Sequence, residues 1–212
     1  MTHRSRTSPP TGSAESDRQL ATYEEFLDWY DDVHAEWVDG RVVLLAPPST
    51  RHQDLSGFLF GLLRLYAEHH RLGKVLPAPY QMKITSRGKI SGREADIVFI
   101  ATEHLDRLRD LYLDGPADIA VEIISPDSRS RDRQEKLAEY EAAGVREFWL
   151  VDPQRQQTEF HVRDEGGVYR DAEVKDGVYA TTILAGLRLR VDWLWQDPLP
   201  PILSVLKESG LV

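Results

Sequence analysis

The 212-residue chain contains no cysteine. Disulfide bridges and thiolate metal ligands are therefore excluded, which is compatible with a reducing compartment. The chain also lacks an apolar run long enough to span a membrane, and its first residues lack the apolar middle segment of a signal peptide. We therefore expect a cytoplasmic protein with no membrane partner.

An excess of positive charge is also missing. The chain has 26 lysine and arginine residues against 35 aspartate and glutamate residues, so its formal net charge is −9. Such a chain has little general affinity for nucleic acid, because that affinity comes mostly from neutralising phosphates. A nucleic acid would have to meet a local basic patch, for which Arg129, Arg131 and Arg133 are the candidates. Alternating basic residues before a helix are equally typical of a solvated edge.

The composition changes near residue 20. Residues 1–20 are rich in serine, threonine, proline and arginine and offer little to bury, which predicts a disordered tail. Residues 21–212 carry most of the hydrophobic residues, which make up 41% of the whole chain. That length and content suit one domain with a sizeable core.

The clearest pattern lies between residues 118 and 152. An Ile- and Val-rich run at 118–125 predicts a strand, residues 131–143 followed by Gly144 predict a helix, and residues 146–152 predict a second strand. This order is typical of a crossover between parallel strands, with ligand-binding groups at the carboxyl ends of the strands. Glu122 interrupts the first apolar run, and a buried carboxylate requires a partner.

Turn and cap signals organise the preceding part of the chain. Asp39-Gly40 predicts the turn of a hairpin over residues 36–45, with Glu36 at the start of its first strand. A long amphipathic helix is then predicted, capped by Ser49 and closed by Gly73, with His52 in its first turn.

Two further elements complete the prediction. Asp96 stands directly before an apolar strand at 97–100, and residues 158–174 alternate around a glycine-containing turn, which predicts another hairpin. Together these patterns indicate an α/β protein with a mixed central β-sheet flanked by helices and additional β-hairpins.

Asp96, Glu122 and Lys136 form the candidate catalytic group. Two carboxylates on neighbouring strands can hold Mg²⁺ or Mn²⁺ through oxygen, and such a metal offsets phosphate charge and activates a bound water. A lysine beside them can position that water. Asp132, Lys136 and Tyr140 are spaced to share one helix face, which could turn the lysine toward Glu122.

The motifs resemble a known family. EWVDG, RH at the start of the long helix, READIVFI, VEIISPDSRSRD, EKLAEY and AGVREFWLVDP are together similar to the Uma-two family of endonucleases, within the PD-(D/E)XK restriction-endonuclease-like superfamily, over roughly residues 22–195. The resemblance implies a restriction-endonuclease-like domain and metal-dependent cleavage of nucleic acid, most of all DNA. It implies that Asp96 and Glu122 are the motif carboxylates, Lys136 a displaced catalytic lysine, Glu36 a further acidic metal ligand, and His52 a histidine near the site.

Two positions depart from the superfamily pattern. The lysine usually found two residues after the second carboxylate is replaced by Ile124, so Lys136 has to reach the site from the helix. Ala95 occupies the position where proline usually precedes the aspartate, which removes only backbone stiffness.

Other interpretations remain open. Lys136 could be a solvated helix residue paired with Asp132 or Glu139. The protein could be an inactive nuclease-derived scaffold that serves an interaction, or a hydrolase of small phosphoesters. For a nuclease that cuts both strands, we expect a two-fold homodimer, and the hairpins at 36–45 and 158–174 offer sheet edges that pairing would bury.

Overall fold

The computed structural model describes residues 22–30, 34–125 and 131–208; the tail predicted at 1–20 lies outside them. Short 3-10 segments occupy Thr102–Arg107 and Val191–Trp195, and a π-helical segment, Arg131–Lys136, leads into the third α-helix. In chain order the elements are α1 (Tyr23–Tyr30), β1 (Ala35–Val38), β2 (Arg41–Leu44), α2 (Thr50–His70), β3 (Gly73–Pro77), β4 (Gln81–Ser86), β5 (Lys89–Arg93), β6 (Ile97–Ala101), β7 (Tyr112–Asp114), β8 (Ile119–Ile123), α3 (Leu137–Ala143), β9 (Glu147–Asp152), β10 (Gln157–Arg163), β11 (Tyr169–Asp171), β12 (Val178–Ala180), β13 (Arg188–Arg190) and α4 (Ile202–Glu208).

Most strands belong to two mixed sheets. The six-stranded sheet has the order β11-β10-β9-β8-β6-β3, and its only parallel pair among the described strands is β8 with β9. The five-stranded sheet has the order β2-β1-β5-β4-β7, and β12 pairs with β13 in a separate ribbon. The predicted α/β class is therefore confirmed, and the hairpin predicted at 36–45 is the end of a second sheet.

The crossover predicted between residues 118 and 152 is present. β8 and β9 run parallel, and α3 connects them. Gly144 ends α3 in the left-handed conformation, with φ 96°. This backbone state favours glycine, which carries no Cβ to clash.

The long helix α2 starts as predicted and ends differently. The Ser49 side chain accepts a hydrogen bond from the His52 backbone N–H, as an N-cap does. Arg71, with φ 56°, and not Gly73, closes the helix. Gly73 instead begins β3, where a Cβ would come within 2.0 Å of the Ile100 carbonyl oxygen. The glycine is needed for close strand packing, which the sequence does not distinguish from a cap.

The alternation of β8 assigns its side chains to two cores. Ile119, Val121 and Ile123 face α2 and join the larger core. Ala120 and Ile124 face the other side and join the core that includes Tyr140 of α3. Because side chains along a strand alternate between faces, Glu122 shares the side of α3.

No α-helix in the described ranges is both long and apolar enough to span a membrane.

Candidate active site

A cavity of about 440 Å³ lies at the carboxyl end of β8. The start of α2, the junction of β5 with β6, the end of β8 and the helix that follows it all contribute to its wall. A parallel sheet commonly places its ligand site at this end of its strands. The charged or titratable residues in the wall are His34, His52, Glu94, Asp96, Glu122 and Lys136.

Glu122 is held by the helix that packs over it. Its Oε1 accepts hydrogen bonds from Lys136 Nζ at 2.7 Å and from Tyr140 OH at 2.8 Å. Lys136 and Tyr140 are four residues apart, which places both on one helix face. The carboxylate within the apolar run therefore has the cationic partner that its burial requires.

Lys136 lies between two glutamates, and its side chain is almost fully buried. Its ammonium contacts Glu122 Oε1 at 2.7 Å and Glu36 Oε1 at 2.9 Å, and donates to the Glu94 carbonyl at 3.3 Å. These acceptors match the three donors of an ammonium group. The predicted orientation of Lys136 toward Glu122 is confirmed, and the interpretation as a solvated helix lysine is wrong.

Asp96 lies directly before β6, next to the strand that carries Glu122. Ile97, which follows Asp96, pairs in antiparallel register with Val121, which precedes Glu122. Both Asp96 and Glu122 line the same cavity. Asp96 Oδ2 accepts a hydrogen bond from the Ile123 backbone N–H at 2.6 Å, and Oδ1 lies 3.3 Å from His52 Nε2.

Glu36 is fully buried and does not line the cavity. Its Oε2 accepts from Arg93 Nη1 at 3.0 Å, while its Oε1 faces Lys136 and accepts from the Glu94 backbone N–H at 3.1 Å. Both oxygens therefore point at buried cations or donors. This arrangement anchors positive charge behind the cavity wall.

Sequence reasoning missed Arg93 and Glu94. Arg93 is fully buried and bonds to Glu139 as well as Glu36. Its burial disfavours the charge, but the Glu139 hydrogen bond and the charges of Glu36 and Glu139 outweigh that effect and raise the pKa of Arg93. Glu94 lies in the cavity wall and contacts the His34 ring. The available signal was a charged run directly before the apolar strand β6.

From the sequence, Tyr140 is predicted only to share a helix face with Lys136. Burial, followed by the negative charges of Glu122 and Glu36, raises the pKa of its phenol well above the ordinary value. The phenol therefore stays protonated at neutral pH, and it donates to Glu122 throughout that range.

The donor set suits a cation that needs few protein ligands. Among the described residues, no three His, Asp or Glu side chains form a ready-made metal centre. Mg²⁺ usually binds through one or two carboxylates, water and substrate phosphate, and Asp96 and Glu122 offer two such carboxylates in the cavity wall. Carboxylates also outnumber lysine and arginine side chains in the cavity wall: Glu94, Asp96 and Glu122 against Lys136. The residues therefore fit Mg²⁺ or Mn²⁺ at an open site.

The structure does not test the predicted basic patch. Arg129 lies outside the described residues, as do the side chains of Arg131 and Arg133. Their contact with nucleic acid stays a prediction.

Comparisons with known proteins agree with the geometry. The family model Uma2, described as "Putative restriction endonuclease", matches residues 23–192. A solved structure from Anabaena variabilis, described as a "putative nuclease belonging to DUF820", superposes with a TM-score of 0.67 at 17% identity, covering 81% of this chain and 96% of that one. At this identity the likeness establishes the fold alone. No curated protein matches the chain.

Proposed function

This chain belongs to the Uma2 family, and we propose that it is a metal-dependent nuclease that hydrolyses phosphodiester bonds of nucleic acid, most of all DNA. The observation that carries the proposal is the placement of Lys136 on Glu122 in the wall of a cavity that Asp96 also lines. Two carboxylates and an ammonium group at one point of a cleft suit a reaction in which charge develops on phosphate oxygens.

Each group has a part in the proposed reaction. Asp96 and Glu122 would hold Mg²⁺ or Mn²⁺, which would neutralise phosphate charge and make a water easier to deprotonate. Lys136 keeps a fixed positive charge beside Glu122, where it orients the attacking water. His52 and the Ile123 N–H orient the Asp96 carboxylate.

Glu36 has a different part from the one that the resemblance implied. Its two oxygens face Arg93 and Lys136 behind the wall, and its side chain is absent from the cavity lining. We therefore give it the role of anchoring Lys136, in place of binding metal.

A second candidate substrate is favoured by apolar residues that also line the cavity. They include Leu44, Pro48 and Phe60, and Leu44 is 64% exposed. Aliphatic and aromatic surface suits the face of an unpaired base better than the sugar-phosphate surface of a duplex. Single-stranded nucleic acid or a small phosphoester therefore stands as the alternative to duplex DNA.

One experiment tests the function and separates these substrates. Purified protein is incubated with Mg²⁺, Mn²⁺ or chelator and a panel of single- and double-stranded DNA and RNA, with a dinucleotide and a nucleotide phosphoester added. We expect metal-dependent cleavage that Glu122→Gln abolishes. Glu135→Gln is the matched control, because it is the same substitution directly beside Lys136 at a side chain that is 64% exposed.

The panel also tests the non-catalytic alternative. Metal binding without cleavage of any substrate would contradict the enzyme and favour an inactive scaffold. Cleavage that survives Glu122→Gln would point to a contaminating nuclease and would remove the assigned site.

We further propose that the protein assembles as a homodimer through sheet edges. β2 and β11 each end a sheet, so they present backbone groups that another strand can pair. Light scattering at micromolar concentration should give about twice the chain mass of 24.2 kDa. A monomer across that range would contradict the dimer and favour action on single strands.

A further inference from the structure

The catalytic lysine of the proposed site sits on a different element from the carboxylates. The position two residues after Glu122 is Ile124, whose side chain is buried in the apolar core. A lysine on the same strand would be placed by that strand alone. Lys136 is placed instead by the helical segment between β8 and β9, so its position depends on how that segment is fixed to the sheets.

A buried arginine adds a polar connection to the apolar packing of Tyr140. Arg93 is the last residue of β5 and pairs with Met82 of β4, which places it firmly in the five-stranded sheet. Its Nε and Nη2 donate to the two oxygens of Glu139 at 2.7 and 2.8 Å. Glu139 belongs to α3, one turn from Lys136, so the guanidinium fixes the helix to the sheet.

The same guanidinium also acts on the lysine from the opposite side. Arg93 Nη1 donates to Glu36 Oε2 at 3.0 Å, and the other oxygen of Glu36 contacts Lys136 Nζ at 2.9 Å. Arg93 thereby fixes the orientation of the Glu36 carboxylate. The Glu36 carboxylate in turn holds the lysine ammonium on Glu122.

We propose that Arg93 is the positioning residue of this site: through Glu139 it holds the helix that carries Lys136, and through Glu36 it holds the ammonium group. The loss of activity expected when Arg93 is changed rests on the proposed nuclease function. The expected displacement of Lys136 does not. Arg93 is excluded from the cavity lining, so it acts through the lysine and not on a substrate.

The chemistry of the guanidinium explains the choice of residue. Its planar fork binds one carboxylate through two parallel hydrogen bonds while a third N–H reaches a second carboxylate. A lysine offers one point charge and cannot hold Glu36 and Glu139 in fixed relative orientation. Arg93→Lys therefore keeps the buried charge but removes the geometry, which separates positioning from simple charge balance.

Two conservative variants test the proposal. Arg93→Lys removes the fork, and Glu139→Gln weakens the link to the helix while leaving Arg93 and Glu36 in place. A displacement of about 1 Å in a catalytic group can cost about 10²-fold in rate. We expect each variant to lower kcat by about 10- to 10²-fold with KM changed less than about twofold, because the substrate-facing wall is intact. Glu135→Gln, whose carboxylate is 3.8 Å from Arg93 and exposed, is the control and should match wild type.

The position of Lys136 is read directly by NMR. The chain has only six lysines, so their ¹³Cε-labelled side chains give few signals, and Lys136→Arg assigns the one of interest. Arg93→Lys and Glu139→Gln should shift that signal and broaden it. The double variant should do no more than the larger single change, because Arg93→Lys already disrupts the link that Glu139→Gln weakens.

The readouts also separate two ways of failing. An unmoved Lys136 signal and unchanged kcat in both variants, with only a lower melting temperature, would show that Arg93 merely stabilises the fold and would overturn the proposal. If wild-type protein cleaves nothing, the nuclease function fails, and the Lys136 signal alone then decides whether Arg93 positions the lysine.

Discussion

Glu122 and Glu147 are both buried glutamates on the two parallel strands of the same sheet, yet their surroundings differ. Glu122 near the carboxyl end of β8 is held by Lys136 and Tyr140 and lines the cavity. Glu147 at the start of β9 is fully buried, and its described partners are all neutral. They are Thr181 Oγ1, Thr182 N–H, Thr182 Oγ1 and Trp149 Nε1, at 2.7 to 3.0 Å.

This difference distinguishes a carboxylate that supports the fold from one that can bind a ligand. The Glu147 carboxylate is enclosed by fixed neutral donors, which satisfy it without leaving room for a ligand. The Glu122 carboxylate shares a buried ammonium group with a second glutamate and lines the cavity. A buried acid in a strand therefore indicates function only when its partners are cationic and its surroundings open to a ligand.

The largest effect should come from removing the shared cation. Lys136→Met leaves Glu36 and Glu122 buried without it, and breaking a buried ion pair in this way costs about 3–5 kcal/mol. We expect nuclease activity to disappear and the free energy of unfolding, measured in urea, to fall by that amount. Lys175→Met, on an exposed part of the chain, is the control. A stable and active Lys136→Met protein would contradict the proposed centre.

The next test replaces Glu122 and Glu147, one at a time, by the uncharged isostere glutamine. Glu122→Gln keeps an oxygen for Tyr140 and Lys136, and Glu36 still faces the ammonium, so stability should change by less than about 1 kcal/mol. Activity should fall at least about 10²-fold and Mn²⁺ binding, followed by electron paramagnetic resonance, should weaken.

Glu147→Gln should do the reverse. Its new amide group would face hydroxyl and N–H donors, so one or more of them would lose an acceptor at a cost of about 1–3 kcal/mol. Activity per folded molecule should stay at the wild-type level. Equal effects of the two substitutions on stability, or lost activity in Glu147→Gln, would remove the distinction between the two glutamates.

These two glutamates also show how far sequence reasoning reaches. Its position inside an apolar run indicates Glu122, whereas Glu147 directly precedes the apolar run of β9 and carries no such signal. The rule that a buried acid needs a cation fails for Glu147, because its described partners are neutral. Thr181 and Thr182 also lie more than 30 residues away, so no local pattern indicates them. Local signals such as Asp39-Gly40, Ser49 and Gly144 were reliable, since caps and turns depend on neighbouring residues.

The rest of the site depends on contacts between residues far apart in the sequence, which local patterns do not predict. The sequence predicts the β1–β2 hairpin, but nothing local indicates that β1 pairs with β5. That pairing brings Glu36 to Arg93, 57 residues away, and the helix brings Glu139 to the same arginine across 46 residues. Arg93 therefore had no detectable role, and Glu36 was assigned to metal by resemblance.

A smaller effect is expected for the residue that orients Asp96. His52→Ala removes the ring at 3.3 Å from Asp96 Oδ1, while the Ile123 N–H still fixes the other oxygen. Because one of two restraints remains, we expect activity to fall about 10-fold, within the range of a lost orienting contact. Gln53→Ala, the neighbouring cavity residue, provides the control for changes in the wall. Steady-state cleavage rates at saturating Mg²⁺ measure both.

The smallest expected effect is on stability at high pH. It compares Tyr140, beside Glu122, with Tyr179, beside Glu147. Burial first, and then the charge of Glu122 or Glu147, raises the pKa of Tyr140 and Tyr179 above the ordinary value of a tyrosine. Above about pH 10 the unfolded chain loses these protons while the folded protein keeps them, so stability is complete below that pH and falls as pH rises. Melting temperatures between pH 8 and 11 should therefore decline less steeply in Tyr140→Phe and in Tyr179→Phe than in wild type. Only Tyr140→Phe should also alter Mn²⁺ binding, because only its hydroxyl donates to a glutamate of the cavity wall, and an equal change in Tyr179→Phe would contradict the separation of the two regions.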